Sequence, residues 1–194
     1  MNLFLNAVSK KWILILFNDK REILVKKEIF VAWNESEKLI EILDDFLVLG
    51  TGTQKGTGTY QKLENIVVVN WPWSFTGIRT IVLMVNTINF VIQKNLTPIS
   101  FFDLFDKYPI IKSSSKRDSF IKKSKNSEIE ILKNEELIKY LEENNIKKIY
   151  WDINFDLENV EIIEKINYCD IIRKINFLDK KLIEPYYIKK PSIS

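Results

Sequence analysis

Hydrophobic residues along this chain follow two different periods. At the start they run almost unbroken, and 3–8 and 12–17 read as strands joined by a turn at 9–11. Asn18, Asp19, Lys20 and Arg21 supply a second turn. Residues 22–30 then alternate as a third strand, so the chain opens as an antiparallel meander. The period next becomes helical. Leu39, Ile42, Leu43 and Phe46 share one face of a helix capped by Asn34 or Ser36 and ending near Leu49. Residues 66–69 are a β-branched run suited to a strand buried on both faces. A long helix follows, from Ser74 or Thr76 to about Lys94.

The second half repeats this order. Residues 100–105 read as a short helix, with Ser100 and Asp103 in capping-box spacing. Residues 109–114, 118–124 and 127–132 read as strands, 134–145 as an amphipathic helix, 147–152 as a strand and 157–166 as a helix. The repeat is one of element order and not of residues. The expected fold class is α/β, two βββαβα halves each on a mixed sheet, divided as 1–98 and 99–194. That layout resembles the actin, sugar-kinase and heat-shock-chaperone ATPases.

Composition adjusts this picture slightly. The 194 residues are 46% hydrophobic and 28% charged, with a net charge of +3. That balance is globular and does not by itself mark a nucleic-acid binder. The absence of histidine decides more. It removes Ser-His-Asp and Cys-His catalysis and histidine-ligated zinc. The one cysteine, Cys169, reads as a small buried apolar residue and fits a reducing, cytoplasmic setting. The longest apolar run, 81–92, contains two asparagines and falls short of the ~20 residues of a membrane span, so a soluble protein is expected.

Several stretches invite a chemical reading. Residues 50–58 hold four of the five glycines. No glycine there precedes a lysine, and the segment follows a helix and precedes a strand, the reverse of a phosphate loop. It reads as a low-complexity connector, weakly ordered. The turn Asn6-Ala7-Val8-Ser9 offers no carboxylate for magnesium and no glycine to admit a phosphate, so no cofactor is expected. The basic, serine-rich 112–125 reads as a solvated hairpin, with contact to a tRNA backbone as the alternative. Asp44-Asp45, Glu135-Glu136 and Glu142-Glu143 read as solvated helix faces.

The two helices of the first half carry surplus apolar surface. In 75–93, Ile78, Ile81, Val82, Val85, Ile88 and Ile92 make one face. Phe75, Leu83, Met84, Phe90 and Val91 spread apolar surface around the rest, and the 36–49 helix has Ile40, Leu47 and Leu49 outside its main stripe. A helix apolar nearly all round is covered on more than one side. The expected contact surface comprises Leu39, Leu43, Phe46, Phe75, Ile78, Arg79, Val82 and Leu83. A second protein, a second copy or the C-terminal half would cover it.

The stretch Trp71-Pro72-Trp73-Ser74-Phe75-Thr76-Gly77-Ile78-Arg79 reads on its own as a helix start. Pro72 fixes the turn, Ser74 or Thr76 caps, and Gly77 permits close packing. It also resembles the Gly-Pro-Gly-Ser-Phe-Thr-Gly-Val/Leu-Arg segment of the TsaB (YeaZ) family. Ser74, Phe75, Thr76, Gly77 and Arg79 match that motif, and Trp71 and Trp73 replace its two glycines. Asn6 stands where the family's opening strand turn has Asp, and Ser115-Lys116-Arg117 stands where Asp-Ala-Arg is usual. Residues 185–190 resemble the closing Pro-x-Tyr-Leu-Arg.

The resemblance implies an actin-like two-domain fold without a working ATP site. It implies a non-catalytic subunit that pairs with the catalytic TsaD subunit through the helices at 36–49 and 75–94. A TsaE-like ATPase and tRNA would be reached through the complex, which makes threonylcarbamoyladenosine (t6A) beside the anticodon. Two other readings stand beside it: a degenerate actin-fold enzyme, kinase or glycoprotease-like, and a homodimeric interaction module unrelated to tRNA.

Overall fold

The computed structural model of the chain describes residues 1–9, 11–30, 38–52, 57–72, 75–152, 157, 160–163 and 166–187. At 57, 75, 76, 151 and 152 only the backbone is described. The chain forms two compact units, Met1–Phe101 with Cys169–Ser194, and Phe102–Tyr168.

The first unit is built on a five-stranded sheet. Strands β1 (Asn2–Asn6), β2 (Lys11–Phe17) and β3 (Ile23–Phe30) form the expected meander. Helix α1 (Leu39–Thr51), the short α2 (Thr57–Gln61) and strand β4 (Asn65–Trp71) follow. Helix α3 (Phe75–Ile92) leads into β5 (Asn95–Ser100). The strand order is β3-β2-β1-β4-β5, with β4 parallel to β1 and β5 parallel to β4. β1 and β4 are central and buried along nearly their whole length, which is why their sequences are continuous apolar runs rather than alternating ones. Asn2 and Asn65 lie in register across this pair, and Asn65 Nδ2 donates to Asn2 Oδ1 at 2.7 Å. α2 touches both α1 and α3, so these helices cover one face of the sheet.

The second unit opens with a 3-10 turn at Phe101–Leu104. It continues with β6 (Ile110–Ser113), β7 (Asp118–Lys122), β8 (Ile129–Lys133), helix α4 (Asn134–Glu143), β9 (Lys148–Asp152) and β10 (Glu161–Ile163). Its sheet runs β10-β9-β6-β7-β8. Read from the other edge, this is the strand order of the first unit: a meander, a fourth strand parallel to the first, and a fifth parallel to the fourth. Ile111, Ile121, Leu137, Leu141 and Ile149 form its core.

Four expectations are corrected. The described part of 157–166 holds strand β10 and not a helix. Ile162 and Ile163 are β-branched, and the open edge of β9 takes them in parallel register, Ile162 opposite Ile149. Glu161 fixes that register twice, through its N–H to Lys147 O at 2.7 Å and an ion pair with Lys148 at 2.7 Å. The glycine-rich 50–58 is helical at both ends, since α1 runs to Thr51 and α2 begins at Thr57; 53–56 lie outside the described residues. The segment from Cys169 onward belongs to the first unit, so the second half is shorter than 99–194. Cys169 itself is exposed at the start of α5 (Tyr168–Lys174), because Tyr168 and Ile172 take that helix's inward positions. The proposed caps Asn34, Ser36 and Ser74 lie outside the described residues. Among the described residues no helix is long and apolar enough to cross a membrane.

Candidate functional site

Helix α3 is apolar all round because its sides have separate tasks. Ile78, Ile81, Val82, Met84, Val85 and Ile92 are buried in the first unit. A second side faces solvent through Arg79, Leu83, Thr87, Phe90 and Val91. Leu83 is 69% exposed, Phe90 81% and Val91 60%. These positions recur every three or four residues and make an uncovered apolar ridge along the helix. Thr87 does not interrupt it, since its hydroxyl donates back to Leu83 O at 2.8 Å. On α1, Leu39, Leu43, Phe46 and Leu47 are buried, and Ile40 and Leu49 are exposed.

This arrangement redraws the expected contact surface. Leu39, Leu43, Phe46, Ile78 and Val82 lie in the core of their own unit and are not on the outer face. The physical reason is that a helix over a sheet buries its strongest apolar stripe there first. Arg79 and Leu83 are exposed as expected, and the side chain of Phe75 lies outside the described residues. Phe90 and Val91 complete the exposed side of α3, and Ile40 and Leu49 are exposed on opposite flanks of α1. Their signal in the sequence was their surplus beyond one stripe.

The third side of α3 binds the chain's own C-terminal segment. Asn86 Nδ2 donates to Ile183 O at 2.8 Å, and Ile183 N donates to Asn86 Oδ1 at 3.0 Å. The amide thus pairs with the backbone as a strand neighbour would. Asn89 Nδ2 donates to Lys181 O at 2.9 Å, and Asn70 Nδ2 to Glu184 O at 3.1 Å. Along β5, Leu96 N donates to Lys180 O at 2.7 Å and Leu178 N to Thr97 Oγ1 at 3.0 Å. Trp71 packs on Tyr186 with ring centroids 4.6 Å apart. One of the two tryptophans that replace motif glycines therefore meets the closing segment.

The turn between β1 and β2 is held by its own side chains. Val8 N donates to Asn6 Oδ1 at 3.4 Å, Ser9 Oγ donates to Lys11 O at 2.7 Å, and Ala7 and Val8 are buried. In the second unit, Lys116 and Arg117 are exposed at the tip of the β6–β7 hairpin, whereas Lys112 and Ser119 of the same basic stretch are buried in its strands, so only the tip is solvated. Ser115 Oγ accepts from Arg117 N and Asp118 N, both at 3.0 Å. Among the described residues no group of three acidic or cysteine side chains is placed to hold a metal.

The sequence matches no protein-family model and no curated protein. The likeness lies in the fold. A solved structure described as an uncharacterized protein with similarity to peptidase YeaZ from Pseudomonas aeruginosa superposes with a TM-score of 0.67. It is 10% identical and covers 97% of this chain and 99% of its own. The fold is that of YeaZ. The structure of YeaZ from Pseudomonas aeruginosa agrees, with a TM-score of 0.55 at 12% identity over 70% of this chain and 68% of that one. The YeaZ-like match extends through both units, including the second half, whose residues match the family motifs poorly.

Proposed function

We propose that this chain is a non-catalytic scaffold subunit that pairs with a TsaD-like catalytic subunit in the threonylcarbamoylation of tRNA adenosine beside the anticodon. The observation that carries this reading is the uncovered ridge Leu83–Phe90–Val91 on α3, on a YeaZ fold whose α3 begins with the residues Phe-Thr-Gly-Ile-Arg. An apolar ridge of this kind on a water-soluble helix marks a contact surface. Burying each of these three side chains against helices of a partner is worth about 1.5–3 kcal/mol. The scaffold role is favoured over an enzymatic one by the β1–β2 turn, which carries Asn6 where magnesium chemistry needs a carboxylate and whose polar atoms bond one another. A TsaE-like ATPase and tRNA would be engaged through the catalytic partner.

The reading is tested in cells whose own copy of the gene is repressed. Nucleosides from total tRNA are measured by mass spectrometry. Loss of t6A on repression, restored by the wild-type gene and not by an equally abundant Leu83→Asp variant, is expected. Unchanged t6A on repression would overturn it.

A further inference from the structure

The two edges of the first sheet are treated differently. The β5 edge is covered by the C-terminal segment, through Leu96 N to Lys180 O and Leu178 N to Thr97 Oγ1. The β3 edge pairs with no strand among the described residues, although β3 is eight residues long. Uncovered edges of that length are templates for another strand. Its outer row is Leu24, Lys26, Glu28 and Phe30, with Leu24 50% and Phe30 79% exposed.

We propose that β3 pairs antiparallel with β3 of a second copy of this chain, about a two-fold axis at Lys27, joining two sheets into one. The order of residues selects this occupant and this register. About Lys27, Leu24 meets Phe30 of the other copy, Lys26 meets Glu28, and Val25 meets Ile29. Each contact occurs twice, as an isologous interface requires. Cross-strand pairs of opposite charge and of apolar side chains stabilise a sheet, and like charges opposed destabilise it. Centring the axis on Lys26 would oppose Lys26 to itself and Leu24 to Glu28. Centring it on Glu28 would oppose Glu28 to itself and Lys26 to Phe30. Only the Lys27 register satisfies the whole outer row. Within one chain Glu28 already accepts from Lys26 at 2.7 Å and from Lys11, so the carboxylate is held in the row where the second copy's Lys26 arrives. The cost of this register is Lys27 opposed to itself on the other face. This interface uses none of the α3 ridge, so it stands apart from the proposed catalytic partner.

The test is sedimentation velocity on the full chain alone, up to the high-micromolar range. The wild type is expected to dimerise reversibly. Lys26→Glu and Glu28→Lys should each weaken the dimer at least about tenfold, since each opposes like charges twice. An equimolar mixture of the two variants should dimerise again, because every charged pair across the axis is then opposite in sign. Recovery on mixing also shows that both variants are folded. Leu83→Asp should leave the dimer unchanged. A wild-type chain that stays monomeric, a dimer unmoved by both single variants, or a mixture that stays apart would overturn the proposal.

Discussion

Val82 and Leu83 are neighbours of similar chemistry with opposite fates. Val82 is 4% exposed, and an aspartate there would be an unpaired charge in the core. Val82→Asp should therefore unfold the first unit, at a cost of about 3–5 kcal/mol. Leu83→Asp should change stability by no more than about 0.5 kcal/mol. Urea denaturation of the two variants checks the difference directly. Asn86 makes the same point for polar residues. In the sequence, Asn86 and Asn89 look like blemishes in an apolar helix, and the structure gives each a backbone partner in the C-terminal segment. Asn86→Ala leaves both polar groups of Ile183 without their partner and should cost about 1–3 kcal/mol. Hydrogen exchange should quicken at Ile183 and stay unchanged in α4. The ionisation of Tyr60 bears on stability at high pH. Burial, then the hydrogen bond its hydroxyl donates to Asp44, pushes the phenol well above the ordinary tyrosine range. The folded state thus favours the neutral phenol. Its contribution is complete below pH about 10, where an unfolded tyrosine titrates, and is lost as pH rises beyond that. Stability measured between pH 9 and 11 (roughly the range that brackets this titration) should fall less steeply in Tyr60→Phe than in the wild type.

At the scale of elements, α1 shows how closely the helix layer sits on the sheet. A Cβ at Gly50 would lie 2.2 Å from Leu16 Cδ1, and Leu16 is fully buried. Alanine there gains about 1 kcal/mol of helix propensity. It loses about 1–3 kcal/mol to overpacking, so the net effect is destabilisation. Gly52 ends the helix at φ 64°, with its N–H donating to Val48 O at 2.9 Å, the left-handed stop that glycine adopts without strain. Thermal denaturation of Gly50→Ala, with a lower midpoint than wild type, checks the packing. Most elements were legible from periodicity alone: the meander, α1, β4, α3 and the second meander stand where apolar spacing puts them. β10 was not, because ten residues with Leu157, Val160, Ile162, Ile163 and Ile166 suit a helical face as well as a strand. The free edge of β9, a tertiary fact, decides between them. The contact ridge was legible only as an excess. Core stripe and interface stripe use the same residue types, and sequence periodicity does not say which one faces the sheet.

For the whole molecule, one topology accounts for both units. In each, a three-strand meander is extended by two parallel strands in the same order. The actin-like arrangement was visible in the order of elements before any residue of a motif was considered. The phosphate chemistry that often accompanies it depends on a few side chains in one turn, and here that turn bears an asparagine, an alanine, a valine and a serine. What the first unit presents instead is the apolar ridge of α3. The central claim is that this ridge docks on a TsaD-like subunit. The most direct measurement is light scattering on this chain mixed with the TsaD-like protein of the same genome. The account predicts a one-to-one complex that Leu83→Asp abolishes and Lys26→Glu leaves intact. A chain that ignores that protein, or a complex that survives Leu83→Asp unweakened, would contradict it.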